Sequence, residues 1–133
     1  LAIDPGRKVL TERIDQRAEA MIEAGLLREV RDLRDRGYGP ELRPMQAIGY
    51  RHMQAVVDGS DTLANAVEAI KVDTRRFARR QNTWIRAVEG VHWHDPSAPE
   101  EIFDRVGRFL ADADSEAQSI APAPPASGVD AHA

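Results

Sequence analysis

The sequence predicts a mainly α-helical fold, and three features lead to that prediction. Apolar residues recur at helical spacing in several stretches that are separated by glycine and proline. Aromatic residues make up only 5% of the 133 residues, so we expect a core of aliphatic side chains and methionine, which suits helices better than a β-sandwich. Strand-like alternation is found only at Val91–His94, an edge strand for which the chain offers no second good strand.

The ends of the helices are predicted from capping and turn residues. Asp4-Pro5 is typical of an N-cap followed by proline at the first helical position, and glycines at 25 and 37 are expected to end the first two helices. The five predicted helices run from Asp4-Pro5 to Gly25, from about Leu26 to Arg36, from Pro44 to Asp58, from Ser60 or Asp61 to about Glu89, and from about Ala98 to Ala111.

Composition separates a folded part, residues 1–111, from a predicted disordered tail, residues 112–133, which is rich in Ala and Pro. The absence of cysteine excludes disulfides and thiolate metal sites and fits a cytoplasmic location. No apolar run approaches the roughly 20 residues that span a bilayer, and the start of the chain lacks a signal-peptide pattern, so no membrane association is expected. Because the chain does not begin with methionine, we expect it to start inside a longer protein.

The fourth helix concentrates basic residues in a chain whose net charge is −4. Asp73 is the only acidic residue between Lys71 and Arg86, a stretch that spans about 22 Å as a helix and is long enough to touch several phosphates of an RNA strand. A solvated charged face is the alternative for any basic helix. Acidic partners one turn away are largely missing, which favours a binding surface over that alternative.

A helical wheel divides this helix into two sides. The side predicted to face inward carries Phe77, Gln81 and Trp84. The side predicted to face outward carries Arg75, Arg79 and Arg86. A polar residue such as Gln81 on the inward side either meets a buried partner or lines a site.

A second unusual segment surrounds Gly49. Glycine costs about 1 kcal/mol relative to alanine in a helix interior, and it permits close approach by a backbone or a ligand. Tyr50 could stack on a base and Arg51 could hold a phosphate. The alternative, which the pattern alone favours, is a helix–helix contact at Gly49 with Tyr50 half-buried in the core.

Together these segments resemble the tRNA dimethylallyltransferase family, also called tRNA isopentenyltransferases or IPP transferases. Gln46-Ala-Ile-Gly-Tyr-Arg51 is followed about thirty residues later by Thr74-Arg75 and by the run from Arg79 to Arg86. Arg13-Ile-Asp-Gln-Arg17 and Val91-His-Trp-His-Asp95 also agree in order, and the resemblance covers about residues 3–110. It implies that the chain forms C-terminal helices, plus one short strand, of a P-loop-like α/β core.

The resemblance also implies the partners and the site. Two stretches that contact the anticodon stem-loop of the substrate tRNA in the family match residues of this chain, while His52 stands where Glu or Gln is more usual. These candidate tRNA-binding residues are Gln46, Ala47, Ile48, Gly49, Tyr50 and Arg51 in the first stretch, and Arg79, Arg80, Gln81, Asn82, Thr83, Trp84, Ile85 and Arg86 in the second.

The chain lacks the family's phosphate loop, since no G-x-x-x-x-G-K-[ST] motif is present. The resemblance therefore places the general base, the Mg²⁺ site and the binding of dimethylallyl diphosphate in an N-terminal half that these residues do not include. We expect the full-length protein, as a monomer, to transfer a dimethylallyl group to N6 of adenosine 37. This chain would position the tRNA, contribute no catalytic residue and no metal ligand, and be inactive alone.

Other interpretations remain open at this point. A stand-alone helical RNA-binding module without catalytic activity is the main alternative, and a DNA-binding domain ranks lower because no short helix precedes the fourth at helix-turn-helix spacing. His92 and His94 share a face and could bind a metal, although no third ligand beyond Asp95 is evident. Arg13 and Arg17 could reach a diphosphate or RNA, or form structural salt bridges.

Overall fold

The computed structural model describes residues 1–120, with side chains up to residue 113. The chain divides into two units, Leu1–Trp93 and a second one from His94 onward. The elements are β1 (Ala2–Ile3), α1 (Arg7–Glu23), α2 (Leu26–Asp35), a 3₁₀ turn (Arg43–Gln46), α3 (Tyr50–Val57), α4 (Leu63–Arg86), β2 (Trp93–His94) and α5 (Pro99–Ile120). The predicted mainly helical fold is confirmed.

The core of the first unit lies where α1, α2, α3 and α4 meet. Val30 and Met53 are fully buried, and burial of a side chain of this size contributes about 1.5–3 kcal/mol. Gln54 is the one polar residue in this core among the described side chains, and its Nε2 donates to the carbonyl of Met45 at 2.7 Å. The buried apolar residues of the cluster are Ala18, Leu26, Val30, Met45, Met53, Ala66 and Ile70.

Helices α1 and α4 pack antiparallel, and charged pairs connect them along their length. The pairing order shows the direction, because residues late in α4 meet residues early in the chain. The connecting pairs are Lys71 with Glu19 at 2.9 Å, Arg75 with Asp15 at 3.6 Å and Arg86 with Asp4 at 3.8 Å.

The beginning of the chain differs from the prediction in two respects. Helix α1 begins at Arg7, so the predicted N-cap at Asp4-Pro5 is wrong; Asp4 Oδ1 instead accepts from the N–H of Gly6 at 2.9 Å in a turn before the helix. The chain also supplies a second strand, since β1 pairs with β2 and the N–H of Ala2 donates to the carbonyl of His92 at 2.8 Å. Strand β1 could not be predicted from the sequence because two residues are too few to show an alternating pattern.

The predicted third helix is interrupted. The 3₁₀ turn ends at Gln46, Ala47 is extended with ψ 153°, and α3 begins only after Gly49, whose φ is +100°. Gly49 is therefore the residue before a helix and not part of a helix interior. A Cβ at this position would meet Leu26 and Met21 at 3.6 Å, an ordinary contact, so the backbone angle is what requires glycine.

The cap of α4 is also displaced by one or two residues from the prediction. Thr62 is the N-cap, and its side chain accepts from the N–H of Asn65 at 3.2 Å. Asp61 supports the same turn through Oδ1, which accepts from the side chain of Asn65 at 3.0 Å. The helix ends at Arg86, slightly before the expected Glu89.

The second unit contains α5, which is preceded by a turn in which Asp95 Oδ1 accepts from the N–H and the hydroxyl of Ser97. Helix α5 continues to Ile120, beyond the predicted end at Ala111. The rest of the predicted tail, residues 121–133, lies outside the described residues. Over residues 1–120, none of the helices combines the length and the apolar character that crossing a bilayer requires.

Candidate functional site

The two stretches that were predicted to contact tRNA lie on different elements of the first unit. Residues 46–51, called here the Gly49 segment, form the turn that leads into α3. Residues 79–86, called here the arginine segment, form the last two turns of α4. The helices that carry them, α3 and α4, contact each other and share the buried core.

Tyr50 in the Gly49 segment is tied to α2. It is half-buried, and its hydroxyl donates a short hydrogen bond to Glu29 Oε1. This hydrogen bond, with a smaller contribution from burial, raises the pKa of Tyr50 above its ordinary value. The structure therefore shows a half-buried, packed Tyr50, whose ring is held in place by the hydrogen bond of its hydroxyl to Glu29.

Arg51, the cation of the Gly49 segment, is held by Asp73 of α4. Asp73 Oδ2 accepts from Arg51 Nη2 and lies 3.2 Å from Nε2 of His52, while Oδ1 accepts from Arg76 Nη1 at 3.3 Å. The hydrogen bond from Arg51 is the main cause that lowers the pKa of Asp73. Burial lowers the pKa of His52, against the opposing hydrogen bond to Asp73.

The remaining residues of the Gly49 segment differ in exposure. Gln46 and Ala47 are exposed, and the Gln46 side chain makes only a long contact, 3.5 Å, with the carbonyl of Pro40. Ile48 is half-buried against the core. The exposed start of the segment is thus free to contact a ligand, whereas its second half is anchored to α2 and α4.

The arginine segment carries exposed cations that the fold leaves without acidic partners. Arg79 and Arg80 are both exposed, and no carboxylate of the described side chains lies within 4 Å of either. The guanidinium of Arg80 lies over the Phe77 ring, 5.7 Å from its centre. Arg86 lies 5.2 Å over the Trp93 ring and pairs with Asp4, yet two thirds of its side chain is accessible.

The side of α4 that the helical wheel predicted to face inward is exposed in the second half of the helix, while Arg79 and Arg86 are exposed as predicted. Phe77, Gln81 and Trp84, predicted to face inward, are exposed, and Trp84 is 71% accessible. The cause is the length of α3, which begins at Tyr50 opposite Asp73 and so covers α4 only up to about that level.

Lys71 and Arg75 both form ion pairs with α1, although the helical wheel predicted that Arg75 faces outward. Only 12% of the Lys71 side chain is accessible, and hydrogen bonds from its ammonium to Glu68 and Glu19 raise its pKa. Arg75 pairs with Asp15 and donates from Nε to the carbonyl of Lys71 at 3.2 Å. These two cations connect α1 and α4 through their ion pairs.

Two grooves run along the α1–α4 pair. The first, called the arginine groove, has a volume of about 660 Å³ and contains a single acidic side chain, Asp4. Apart from apolar residues and Thr11, its lining consists of Arg7, Arg75, Arg79, Asn82 and Arg86. Three members of the arginine segment therefore line one groove together with the start of α1.

The second groove, called the Phe77 groove, has a volume of about 600 Å³ and unites parts of both predicted stretches. Ile48 of the Gly49 segment and Gln81 of the arginine segment line it together with Phe77. Arg13 and Arg17 of α1 also line it, and neither has a carboxylate partner within 4 Å in the described part of the chain. The structural salt bridge considered for these two arginines is not formed within the described residues.

The described residues were also compared with the requirements of a metal site. Over residues 1–113, whose side chains the structure describes, no three side chains of His, Cys, Asp or Glu come together as ligands would. His92 and His94, the pair considered from the sequence, belong to no such cluster. The described residues thus do not fit a Mg²⁺ site.

The fold and the grooves together define a helical unit with clustered, exposed arginines, a feature that is typical of nucleic-acid-binding proteins. Residues 1–88 match the family model described as IPP transferase, and the chain belongs to that family.

Relatives agree with this assignment. A tRNA dimethylallyltransferase 2 from Syntrophus aciditrophicus (strain SB) is 48% identical over 104 residues, 78% of this chain and 33% of that protein. Crystal structures of tRNA isopentenylpyrophosphate transferases from Staphylococcus epidermidis and Bacillus halodurans match with TM-scores of 0.75 and 0.77 and identities of 32% and 33%. The matches cover 83% and 87% of this chain, but 37% and 39% of those chains. The chain spans about one third of the length of the curated relatives it matches.

Proposed function

We propose that this chain is the tRNA-positioning part of a tRNA dimethylallyltransferase, which modifies N6 of adenosine 37. The names of the relatives support the prenyl-transfer reaction. The greater length of the relatives supports a division of labour in which other sequence supplies the phosphate loop. The observation that carries the positioning role is the arginine segment. Among the described side chains, Arg79 and Arg80 have no acidic partner, whereas the other cations of α4 are paired.

The proposed reaction is an alkyl transfer. The adenine N6 attacks C1 of the dimethylallyl group, the C1–O bond breaks, diphosphate leaves and N6 loses a proton to a base. Mg²⁺ would neutralise charge on the leaving diphosphate, from a site outside these residues. The adenine must leave the base stack of the RNA to reach the prenyl donor, which requires that the neighbouring RNA be held firmly.

The residues of this chain would supply that grip. Arg79, Arg80 and Arg86 would contact phosphates of the anticodon stem-loop, since forked guanidinium groups suit phosphate oxygens. Trp84 is the better candidate for stacking on a base, because it is exposed while the Tyr50 hydroxyl is bound to Glu29. Arg13 and Arg17 would hold an anionic group in the Phe77 groove.

The second candidate is a stand-alone RNA-binding module without catalysis, acting in the cytoplasm as a monomer like the enzyme proposed above. One observation supports it: the exposed arginine segment lies on a folded unit with its own buried core, so contact with RNA would require no catalytic residue. The two proposals make the same prediction for RNA binding and different predictions for chemistry.

Binding and transfer assays test the proposals separately. The 133-residue chain should bind an anticodon stem-loop RNA that carries adenosine 37 more tightly than a hairpin of equal length with another loop. It should transfer no prenyl group from dimethylallyl diphosphate, whereas a longer protein that contains this sequence and a phosphate loop should. Equal affinity for both hairpins would contradict the positioning role, and transfer by the 133 residues alone would contradict the division of labour.

A further inference from the structure

We propose that Asp73 is a positioning residue for RNA binding, which acts by fixing Arg51; this inference rests on the proposed function above. Asp73 is the only acidic residue between Lys71 and Arg86, and the fold surrounds it with three nitrogen-bearing side chains. Its carboxylate is 24% exposed, so the cluster lies at the edge of the α3–α4 contact.

The contacts around Asp73 form a continuous path from the backbone of the Gly49 segment to α4. The N–H of Gly49 donates to Nδ1 of His52 at 3.3 Å, so this ring nitrogen accepts and the proton of a neutral ring belongs on Nε2. Nε2 in turn lies 3.2 Å from Asp73 Oδ2, the oxygen that also accepts from Arg51. One carboxylate oxygen therefore orients both the imidazole and the guanidinium.

The charge of the cluster leaves it able to bind an anion. Two guanidinium groups, those of Arg51 and Arg76, face a single carboxylate, and their side chains are 47% and 61% exposed. Because burial keeps the pKa of His52 low, its ring adds no charge near neutral pH. The two guanidinium groups, which share the one carboxylate that they contact, are thus held in position and can meet a phosphate without first reorganising.

A purely structural ion pair is the competing explanation for Asp73. Exposed ion pairs stabilise a fold by only about 0–1 kcal/mol, so a link of this kind contributes little to the α3–α4 contact. The geometry points instead to orientation of Arg51, because Arg51 belongs to a stretch that would contact RNA. The two explanations differ in whether the effect of Asp73 depends on Arg51.

A double-mutant cycle on the full 133-residue chain distinguishes them. Dissociation constants for the anticodon stem-loop RNA are measured for Asp73→Ala, Arg51→Ala and the double variant. We expect Asp73→Ala to weaken binding by about three- to tenfold, and by less than about twofold when Arg51 is already alanine. Asp32→Ala, which removes an exposed carboxylate paired with Arg28 on α2, is the matched control and should leave binding unchanged.

The outcomes separate this proposal from the proposed function. An equal loss in both backgrounds, unchanged affinity or tighter binding from removal of a negative charge would each overturn the role of Asp73. If Arg51→Ala has no effect while Arg79→Ala weakens binding, the role proposed for Asp73 fails and the function proposed for the chain stands. If the chain does not bind the RNA, both fail.

A folding defect can be separated from the positioning effect. Circular dichroism reports whether each variant keeps its helix content, and Asp73→Asn replaces Asp73→Ala in the same cycle if the alanine variant unfolds. The asparagine keeps one acceptor oxygen for Arg51 but loses the negative charge, so this variant should lose only part of the affinity. Full loss of affinity in Asp73→Asn together with an additive cycle would contradict the proposal.

Discussion

Arg86 Nη2 lies 3.8 Å from Asp4 Oδ2, so the last residue of α4 is paired with the segment that precedes α1. The same guanidinium lies over the Trp93 ring, and these two contacts orient it beside the arginine groove. Arg79, two turns earlier, lines the same groove with no acidic partner in the described residues. One arginine is thus pre-oriented and the other is free to adapt to a ligand.

Replacement of both arginines tests whether they contact phosphates. Arg79→Ala with Arg86→Ala should weaken binding of the anticodon stem-loop about tenfold or more at moderate salt. It should also lower the slope of log affinity against log salt by about 1.4–1.8, because each lost phosphate contact releases fewer counterions. Filter binding or fluorescence anisotropy over a salt series gives both quantities.

The control for this experiment lies on α2. Arg28 is paired with Asp32 and Arg31 is exposed without a carboxylate partner among the described side chains, so together they match Arg86 and Arg79. Arg28→Ala with Arg31→Ala removes the same charge and should keep the salt slope. A slope that changes equally in both double variants would show that net charge, and not position, controls binding.

The arginines of the Phe77 groove lead to a different expectation. Arg13→Ala with Arg17→Ala should change the free energy of unfolding by less than about 0.5 kcal/mol, because neither side chain has an ion pair to lose. Affinity for inorganic diphosphate or for the stem-loop RNA should nevertheless fall several-fold. Urea unfolding and calorimetric titration measure these effects, with Lys8→Ala, outside both grooves, as the control. A large loss of stability would assign the pair to the fold.

His52 makes stability depend on pH. Its pKa is lowered in the folded state, so the unfolded chain binds a proton more readily as pH falls below the ordinary value of 6.5. The stabilising contribution is therefore complete above that value and is lost as pH falls toward the folded pKa. Protonation of Nδ1 also removes the acceptor for the N–H of Gly49. Urea unfolding between pH 7 and pH 5 should show a steeper loss of stability for this chain than for His52→Gln; equal slopes would exclude His52 as the cause.

Gly49 should not tolerate a side chain, although there is space for one. Gly49→Ala is expected to cost about 1–3 kcal/mol in the free energy of unfolding, because φ of +100° strains any residue with a Cβ. Gly107→Ala, in α5 and without positive φ or a neighbour within 4 Å, should have the opposite sign and raise helix content. A neutral Gly49→Ala variant would mean that the turn rearranges freely.

The sequence predicted which segments are helical better than which side of α4 is covered. Periodicity gives the angular separation of Arg75 and Phe77 around the helix axis. It contains no information about where the neighbouring helices begin. Because α3 begins opposite Asp73 and α1 continues toward the chain start, the covered side shifts along α4, and Phe77 and Trp84 become exposed.

Local backbone geometry was the other property that the sequence did not reveal. The run around Gly49 satisfies helical spacing, yet the extended Ala47 and the positive φ of Gly49 interrupt it. The pairing of Arg51 with Asp73 depends on this interruption and so could not be inferred from spacing. The candidate residues themselves came from the family resemblance, which identifies positions without giving their contacts.

The antiparallel pairing of α1 with α4 has a consequence for the order of folding. Lys71 meets Glu19 across 52 positions of sequence, and the entropy lost on closing a loop grows with its length. Contacts between α2 and α3 involve shorter separations and form at lower entropic cost. Both grooves are therefore completed late, when the two ends of the unit meet. A partly folded chain carries the same arginines without their fixed spacing, so the selectivity for the anticodon stem-loop proposed above requires the finished fold.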